Sequence, residues 1–196
     1  MLKILNTLSK TTEEIIPINP GHIGMYTCGP TVYRYAHIGN MRTYMMADFI
    51  RRALEYRGNK VNHVKNITDV GHMRQELLET GGDKMILAAL SEGKTIGEIA
   101  QFYADQFHKD EALLNILPAN HYPWATDHIS EMLEMIGVLL DNNGAYIAGD
   151  NIYFDVGKFT EYGKLSRNVG GNLLEGVRME TDPLKRDPRD FTLWKK

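Results

Sequence analysis

Cysteine is almost absent from this sequence of 196 residues, because Cys28 is its only example. A single thiol cannot form an internal disulfide bond, and residues 1–7 lack the uninterrupted apolar segment of a secretory signal peptide. We therefore expect a reducing, cytoplasmic location. No apolar run approaches the roughly 18 residues that a transmembrane helix needs, so the sequence predicts no membrane span and no membrane partner.

The sequence also has no excess of basic charge. Its 22 Lys and Arg residues stand against 25 Asp and Glu residues, which gives a formal net charge of -3. Such a chain offers no general attraction to nucleic acid, so a polynucleotide partner would require a local basic patch. A hydrophobic fraction of 43% predicts a globular chain with one sizeable core, or one domain with a large insertion.

The first pattern along the chain is typical of a strand that ends in a tight turn. Apolar residues at positions 23–28 are bounded by Pro20-Gly21 and Gly29-Pro30, and Cys28 lies at the end of this segment. A helix is predicted to follow, with His37-Ile38-Gly39-Asn40 at its start. The sequence therefore places the only thiol shortly before a turn that opens a helix.

The helix is predicted to be amphipathic and to stop near Gly58. Residues 60–67 then predict a second strand. A strand, helix and strand in succession favour a parallel sheet with a right-handed crossover, and therefore an α/β fold. The apolar stripe predicted for the helix consists of Met45, Met46, Phe49, Ile50, Ala53 and Leu54.

Beyond Asp69 the pattern becomes mostly helical. Thr95 and Glu98 match a capping box, in which each side chain satisfies a free backbone amide at a helix start. A second helix is predicted from about Thr126 to about Asn142, and we expect the apolar stripes of both helices to form core. The stripes consist of Ile99, Tyr103 and Phe107 in the first helix, and of Ile129, Met132, Leu133, Ile136, Leu139 and Leu140 in the second.

The last third of the sequence predicts a hairpin and a final strand. Apolar segments 146–147 and 152–154 flank Gly149-Asp150-Asn151, a combination that is typical of a hairpin turn. Residues 157–189 have little periodicity and predict an irregular connection. Residues 191–194 predict a strand that returns to the sheet.

The turn before the first helix is suited to phosphate binding. A helix N-terminus presents unpaired amides and partial positive charge, and His37 and Asn40 add side-chain donors there. Gly39 would leave room for a nucleotide to approach the backbone. Taken alone, this tetrapeptide is also compatible with a structural helix cap. Cys28 alone is likewise compatible with a small buried side chain, since a zinc site needs about four ligands.

Several motifs occur together, in order, along the whole chain, and jointly they resemble the landmarks of class I cysteinyl-tRNA synthetases. Segments 113–116 and 125–129 extend the resemblance, which corresponds to the N-terminal half of the usual protein. The four main landmarks are Cys28-Gly29-Pro30-Thr31-Val32-Tyr33, His37-Ile38-Gly39-Asn40, Asn66-Ile67-Thr68-Asp69-Val70 and Asp190-Phe191-Thr192-Leu193-Trp194-Lys195.

The resemblance implies a Rossmann-like nucleotide-binding catalytic domain with a parallel sheet and a mostly helical connective insertion. In this interpretation residues 1–70 form the first half of the catalytic domain. Residues 71–189 form the insertion of helices and a hairpin, and residues 190–196 return to the catalytic domain, whose second half is absent.

The activity that the resemblance implies is ATP-dependent ligation of cysteine to tRNA(Cys). Cysteine and ATP, accompanied by Mg²⁺, would form cysteinyl-adenylate and pyrophosphate, and the acyl group would then pass to the terminal ribose of the tRNA. His37 and Asn40 would be the catalytic residues. The residues assigned to ATP are Pro30, His37, Ile38, Gly39 and Asn40, and those assigned to cysteine are Cys28, Gly29, Thr31 and Thr68.

Zinc enters through the same resemblance, with Cys28 as one ligand. A soft metal would bind the substrate sulfur and reject a hydroxyl, whereas an apolar pocket alone discriminates small changes by only about 1–3 kcal/mol. The other family ligands fall beyond the position of Trp194, as does the Lys-Met-Ser-Lys-Ser loop. We expect five further histidines to be structural: His63, His72, His108, His121 and His128.

One position departs from the commonest family pattern, because Asn40 stands where His is more usual. Asn donates hydrogen bonds but carries no charge, so we expect altered phosphate contacts with activity retained. Three interpretations remain open. The chain is part of a complete synthetase and is impaired alone, or a stand-alone nucleotide-binding paralogue without catalysis, or part of a related ligase that delivers cysteine to an amino-sugar.

Overall fold

The computed structural model describes residues 2–70, 93–165 and 182–195. The prediction that concerns His72 lies outside the described residues, as do residues 166–181 of the irregular connection predicted over 157–189. The described strands are β1 (Lys3–Leu5), β2 (Thr12–Glu14), β3 (His22–Thr27), β4 (Lys60–Lys65), β5 (Ala145–Ala148), β6 (Asn151–Phe154) and β7 (Phe191–Trp194). The described α-helices are α1 (Ile38–Tyr56), α2 (Ile96–Leu113) and α3 (Ile129–Asp141), and short 3-10 helices span Ala125–His128 and Val156–Lys158.

Strands β3 and β4 form a parallel pair that is connected by α1. Their register sets His22 opposite Lys60 and Thr27 opposite Lys65, so the two strands end side by side. Gly58 follows α1 with a φ of 83°, in the left-handed region where glycine carries no steric penalty. The predicted strand, helix and strand are thereby confirmed, and so is the α/β class.

A further extended segment lies along the second edge of β4. The amide of Lys65 donates to the carbonyl of His121 at 3.0 Å, and the amide of Ile67 donates to the carbonyl of Pro123 at 2.8 Å. Parallel bridges pair Val64 with His121 and Ile67 with Trp124. β4 therefore lies between β3 and this segment, and its side chains at alternate positions are buried.

Two apolar clusters pack around this sheet. Helix α2 begins with the predicted capping box of Thr95 and Glu98, and its predicted apolar stripe is buried as expected. The first cluster contains Val32, Ile67, Ile99, Ala100, Tyr103 and Ala104, and the second contains Met41, Tyr44, Phe107 and Ile116. Helix α2 contributes to both clusters and so ties them together.

The buried face of α1 coincides only in part with its apolar stripe. Met46 and Phe49 are 54% and 57% exposed, and Leu54 is the one member of the predicted stripe that is fully buried. The buried face also includes Asp48, which accepts a hydrogen bond from the amide of Leu117 at 3.0 Å. The buried residues of α1 are Met41, Tyr44, Ala47, Asp48 and Leu54.

The second half of the chain contains an antiparallel sheet with the order β5, β6, β7. β5 and β6 form the predicted hairpin, and β7 pairs with β6 as the predicted final strand. The rings of Phe154 and Phe191 stack across this pair with centroids 5.0 Å apart. In α3 only Ile136 is fully buried, whereas Met132 and Leu133 are exposed, so the prediction that its whole apolar stripe is core was wrong.

The chain forms two compact units. The first comprises Met1–Leu2 with Glu14–Ile129, and the second comprises Lys3–Glu13 with Ser130–Lys196. The parallel strands, α1 and α2 belong to the first unit, and the antiparallel sheet belongs to the second. The division into a split catalytic domain and an insertion stays a prediction.

Candidate active site

The predicted cysteine-binding residues meet where β3 and β4 end. Cys28 follows β3 directly and has a free, exposed thiol. Asn66 follows β4 directly, and its side-chain oxygen accepts a hydrogen bond from the amide of Gly29 at 3.0 Å. Because parallel strands bring their carboxyl ends to one edge of the sheet, the chain places the thiol beside the landmark motif that begins at Asn66.

Gly29 makes the closest backbone approach in this region. A β-carbon at this position would lie 1.9 Å from the carbonyl oxygen of Asn66 and 3.0 Å from Cγ of Lys65. A separation of 1.9 Å is far inside van der Waals contact, and the neighbouring atom belongs to the backbone. Only glycine therefore permits the two strand ends to lie this close.

The parallel pairing continues beyond the strands. The amide of Thr68 donates to the carbonyl of Pro30 at 3.0 Å, and the amide of Val32 donates to the carbonyl of Thr68 at 3.1 Å. Thr31 and Thr68 form an isolated parallel bridge. Of the four residues assigned to cysteine, Gly29, Thr31 and Thr68 are thus held together, with Cys28 adjacent in the chain. Pro30 is buried and acts here as a backbone acceptor.

His37 is the N-cap residue of α1. Its Nδ1 accepts hydrogen bonds from the amides of Gly39 and Asn40, at 3.0 and 3.4 Å. An Nδ1 that accepts cannot carry a proton, so the neutral ring carries its proton on Nε2. The exposed imidazole of His37 therefore presents an N–H donor at the start of the helix, where backbone amides also concentrate.

Gly39 and Asn40 complete this cap. The side-chain oxygen of Asn40 accepts from the amide of His37 at 3.1 Å, which leaves its NH₂ group as the outward donor. A β-carbon on Gly39 would lie 2.7 Å from Cε1 of His37 and would displace the ring. Ile38, the remaining residue of the motif, is 89% exposed. The motif thus forms a helix cap that presents nitrogen donors.

A buried ion pair involves the last residue of β4. Lys65, which is fully buried, donates from its Nζ to the carboxylate of Glu111 on α2. The same Nζ lies 5.1 Å from the ring centre of Tyr44 and 5.7 Å from that of Phe107. The Tyr122 hydroxyl donates to the second oxygen of Glu111 at 3.1 Å. The cluster links the end of β4 to both α1 and α2.

The electrostatics of this cluster follow from burial and pairing. Burial by itself raises the pKa of Glu111, but the His108 ring 3.7 Å away and the hydrogen bond and charge of Lys65 outweigh it, so the pKa is lowered. Burial, together with the negative charge of Glu111, raises the pKa of Tyr44 to about 12. Tyr44 therefore remains a neutral phenol beside the ion pair.

The sequence prediction did not single out Lys65, Glu111 or Asn66. Lys65 falls on the same face of β4 as the buried Val61 and His63, and this periodicity could have indicated that it is buried. Its partner Glu111, however, lies 46 positions away in the chain. Asn66 belongs to a landmark motif, and its contact with Gly29 required the structure. Such long-range partners carry no local signal in the sequence.

The described residues do not assemble a metal centre. Within residues 2–70, 93–165 and 182–195, no group of three or more His, Cys, Asp or Glu side chains could hold a metal ion. His63 is buried against Thr27, with Nε2 and the hydroxyl 2.8 Å apart, and the backbone carbonyl of His121 accepts from Lys65. Cys28 is thus one soft donor without further ligands in the described part of the chain.

Among the helices that the structure describes, none is long and apolar enough to span a membrane.

A family profile described as tRNA synthetases class I (C) catalytic domain matches residues 14–196. The chain belongs to this family. Its relatives include proteins named cysteine–tRNA ligase. That of Treponema denticola is 46% identical over 193 residues, which are 98% of this chain. Those of Pyrococcus furiosus and Carboxydothermus hydrogenoformans are 44% and 43% identical over the whole chain.

The class I (C) synthetase profile covers every residue that the sequence assigned to ATP or cysteine, from Cys28 to Thr68. The chain spans 39–40% of the length of the curated relatives that it matches. Family membership therefore identifies the type of catalytic domain to which this chain belongs. The relatives themselves are longer than this chain.

Proposed function

We propose that the chain forms the N-terminal part of a cysteine–tRNA ligase that activates cysteine with ATP and transfers it to tRNA(Cys). The observation that carries this proposal is the identity of 43–46% over 98–100% of the chain to relatives that bear that name. These names favour a tRNA acceptor over an amino-sugar, and favour an enzyme over a non-catalytic module.

The proposed ATP site lies at the start of α1. Negative charge grows on the phosphoryl oxygens when a carboxylate attacks the α-phosphorus, and fixed donors stabilise that charge. His37 would donate from Nε2, and Asn40 would donate from its side-chain NH₂ group, because each uses its other polar atom in the helix cap. Gly39 keeps the His37 ring in place, and Pro30 and Ile38 complete the assignment.

The proposed cysteine pocket lies at the paired ends of β3 and β4. Cys28 supplies an exposed thiol, and Gly29, Thr31 and Thr68 are held beside it by backbone pairing. Such a rigid edge is suited to positioning a small amino acid, because little conformational freedom remains to be lost on binding.

Zinc and Mg²⁺ are parts of this proposal that rest on the resemblance. Zinc, when bound, would supply a soft Lewis acid that prefers sulfur to oxygen. Cys28 fits the role of one ligand, and the described residues alone do not form the site. We further propose that the catalytic domain is a Rossmann-like sheet completed by a C-terminal part or complementary chain. We propose a cytoplasmic location as part of this function.

Cysteine-dependent exchange between pyrophosphate and ATP tests the proposed function directly. The longest form of the protein that its gene encodes should catalyse this exchange with cysteine, and should not do so with serine. His37→Ala should lower the exchange rate at least tenfold, since it removes one donor to the developing charge. His22→Ala, on the exposed start of β3, is the matched control. Absence of exchange in the wild type would refute the proposal.

A further inference from the structure

We infer that Asn66 is a positioning residue that fixes the Thr68 hydroxyl as a hydrogen-bond donor towards bound cysteine. This inference rests on the proposed function and concerns a residue outside the ATP and cysteine assignments made above. The Asn66 side chain bridges the two halves of the proposed pocket. Its Oδ1 accepts from the amide of Gly29 at 3.0 Å, and its Nδ2 donates to Oγ1 of Thr68 at 3.1 Å.

The orientation of the Asn66 amide is determined by its partners. A backbone N–H can only donate, so the atom that faces Gly29 must be the oxygen. The atom that faces Thr68 is then the NH₂ group, which can only donate. Oγ1 of Thr68 therefore acts as an acceptor in this bond, and its own proton must point elsewhere.

The Thr68 hydroxyl proton has no acceptor among residues 2–70, 93–165 and 182–195. The Thr68 backbone is fixed at the same time, because its amide donates to Pro30 and its carbonyl accepts from Val32. A half-buried hydroxyl that is fixed in this way presents its proton to a ligand. On cysteine the matching groups are the carboxylate and the sulfur, whereas the ammonium group has no acceptor capacity.

Asn66→Asp tests the direction of this bond with little change in shape. A carboxylate still accepts from the amide of Gly29, so the strand ends should stay paired and the melting temperature should change little. The second carboxylate oxygen cannot donate, so the Thr68 hydroxyl would turn and donate to it. Calorimetry without ATP should then show cysteine binding that is weaker by about tenfold or more, the usual effect of losing one hydrogen bond to a charged group.

The added negative charge could itself repel cysteine, and a double-mutant cycle separates the two effects. Thr68→Val removes the hydroxyl at nearly constant shape and should also weaken binding about tenfold. If Asn66 acts through Thr68, adding Asn66→Asp to Thr68→Val should weaken binding by less than twofold more. If the loss of cysteine affinity in the double variant equals the product of the losses in the two single variants, the inference is overturned. Thr68→Ser retains the hydroxyl and should keep most of the affinity.

Cysteamine, which lacks the carboxylate, identifies the acceptor on the ligand. If the sulfur accepts the bond, Asn66→Asp weakens cysteine and cysteamine alike, and if the carboxylate accepts it, only cysteine is affected. If Asn66→Asp binds cysteine with wild-type affinity, or fails to fold, the inference is overturned. The proposed function still stands in that case, provided that the wild-type protein catalyses the exchange. A wild-type protein that neither binds cysteine nor catalyses exchange would refute both.

Discussion

His37 and Asn40 cap the start of α1 reciprocally. Nδ1 of His37 accepts from the amide of Asn40, and the side-chain oxygen of Asn40 accepts from the amide of His37. The pair is a capping box in which a histidine ring and an amide replace the more usual hydroxyl and carboxylate. Each residue thereby uses an acceptor atom in the fold and keeps a donor N–H for a ligand.

Because the oxygen of Asn40 caps the helix and its NH₂ group is the proposed donor to ATP, substitutions at Asn40 should affect helix stability and ATP affinity separately. Asn40→Asp retains an acceptor for the amide of His37, and a negative charge in the first turn is favourable to the helix. We expect unchanged or slightly higher stability in thermal melting. Binding of ATP should weaken at least tenfold, because a carboxylate replaces the NH₂ donor and repels phosphate.

Asn40→Ala is the matched variant, since it removes both the acceptor and the donor. Loss of a capping interaction typically costs about 0.5–2 kcal/mol, so this variant should be less stable than Asn40→Asp. ATP affinity measured by calorimetry should fall in both. Normal ATP affinity in Asn40→Asp would show that the side-chain NH₂ group does not face the phosphates.

A second prediction concerns Gly29, where a β-carbon would lie 1.9 Å from the backbone oxygen of Asn66. Gly29→Ala must push the strand ends apart, and overpacking of this kind typically costs about 1–3 kcal/mol or more. We expect a lower midpoint in urea unfolding together with weaker cysteine binding. Gly24 on β3 has open space within 4 Å of the position that a β-carbon would occupy, so Gly24→Ala should change stability by less than about 1 kcal/mol. Equal effects at both positions would contradict the close approach.

The sequence predicted the site through contiguous motifs, and the structure supplied the connections between them. The pattern around Cys28 predicted a strand end, and the pattern before α1 predicted a helix start; both are observed. The contact of Asn66 with Gly29 joins residues 37 positions apart, and no periodicity reports such a contact. Local patterns therefore identify elements, whereas the long-range partner of a polar side chain depends on packing.

The apolar stripe of α2 is buried as predicted, whereas the apolar stripes of α1 and α3 are buried only in part. Hydrophobic spacing gave α1 an apolar stripe that includes the exposed Met46 and Phe49, whereas the buried face of α1 includes Asp48, whose carboxylate accepts from the amide of Leu117. The β1–β2 pair was also missed, since its strands of three residues each are too short to show a clear alternation. The capping box of Thr95 and Glu98 was predicted correctly, because its chemistry is complete within four residues.

The buried pair of Lys65 and Glu111 predicts a strong asymmetry between single and double substitutions. Lys65→Met leaves the Glu111 carboxylate buried without its cation, and breaking such a pair typically costs about 3–5 kcal/mol. Lys65→Met combined with Glu111→Leu removes both charges and should recover much of this loss. Unfolding by urea measures the free energy of each variant.

Lys164→Met provides a control with the same chemical change at an exposed ion pair. Lys164 and Glu161 are 2.9 Å apart, and both side chains are 61% exposed. Solvent screens such a pair, so we expect the free energy of unfolding to change by less than about 0.5 kcal/mol. A double variant at Lys65 and Glu111 that is no more stable than Lys65→Met would contradict the interpretation that the unpaired charge causes the loss.

The last prediction concerns acid stability and the buried imidazole of His63. Burial lowers the pKa of His63, and the positive charges of Lys65 and Arg51 lower it further against the opposing effects of Glu111 and Asp48. Its Nδ1 is buried without a hydrogen-bond partner among the described residues. The folded protein therefore resists protonation at a ring that the unfolded chain protonates readily.

The sign of the pH effect follows from this difference. Above pH of about 6.5 the ring is neutral in both states, and as the pH falls below that value the unfolded chain takes up a proton first. The free energy of unfolding should then fall by up to about 1.4 kcal/mol per pH unit until the folded ring is protonated as well. His63→Phe removes this titration, so urea unfolding between pH of about 7.5 and about 5 should show a shallower loss of stability than in the wild type. If the free energy of unfolding depends on pH in the same way in His63→Phe and in the wild type, His63 takes up no proton on unfolding. Other groups would then cause the acid sensitivity.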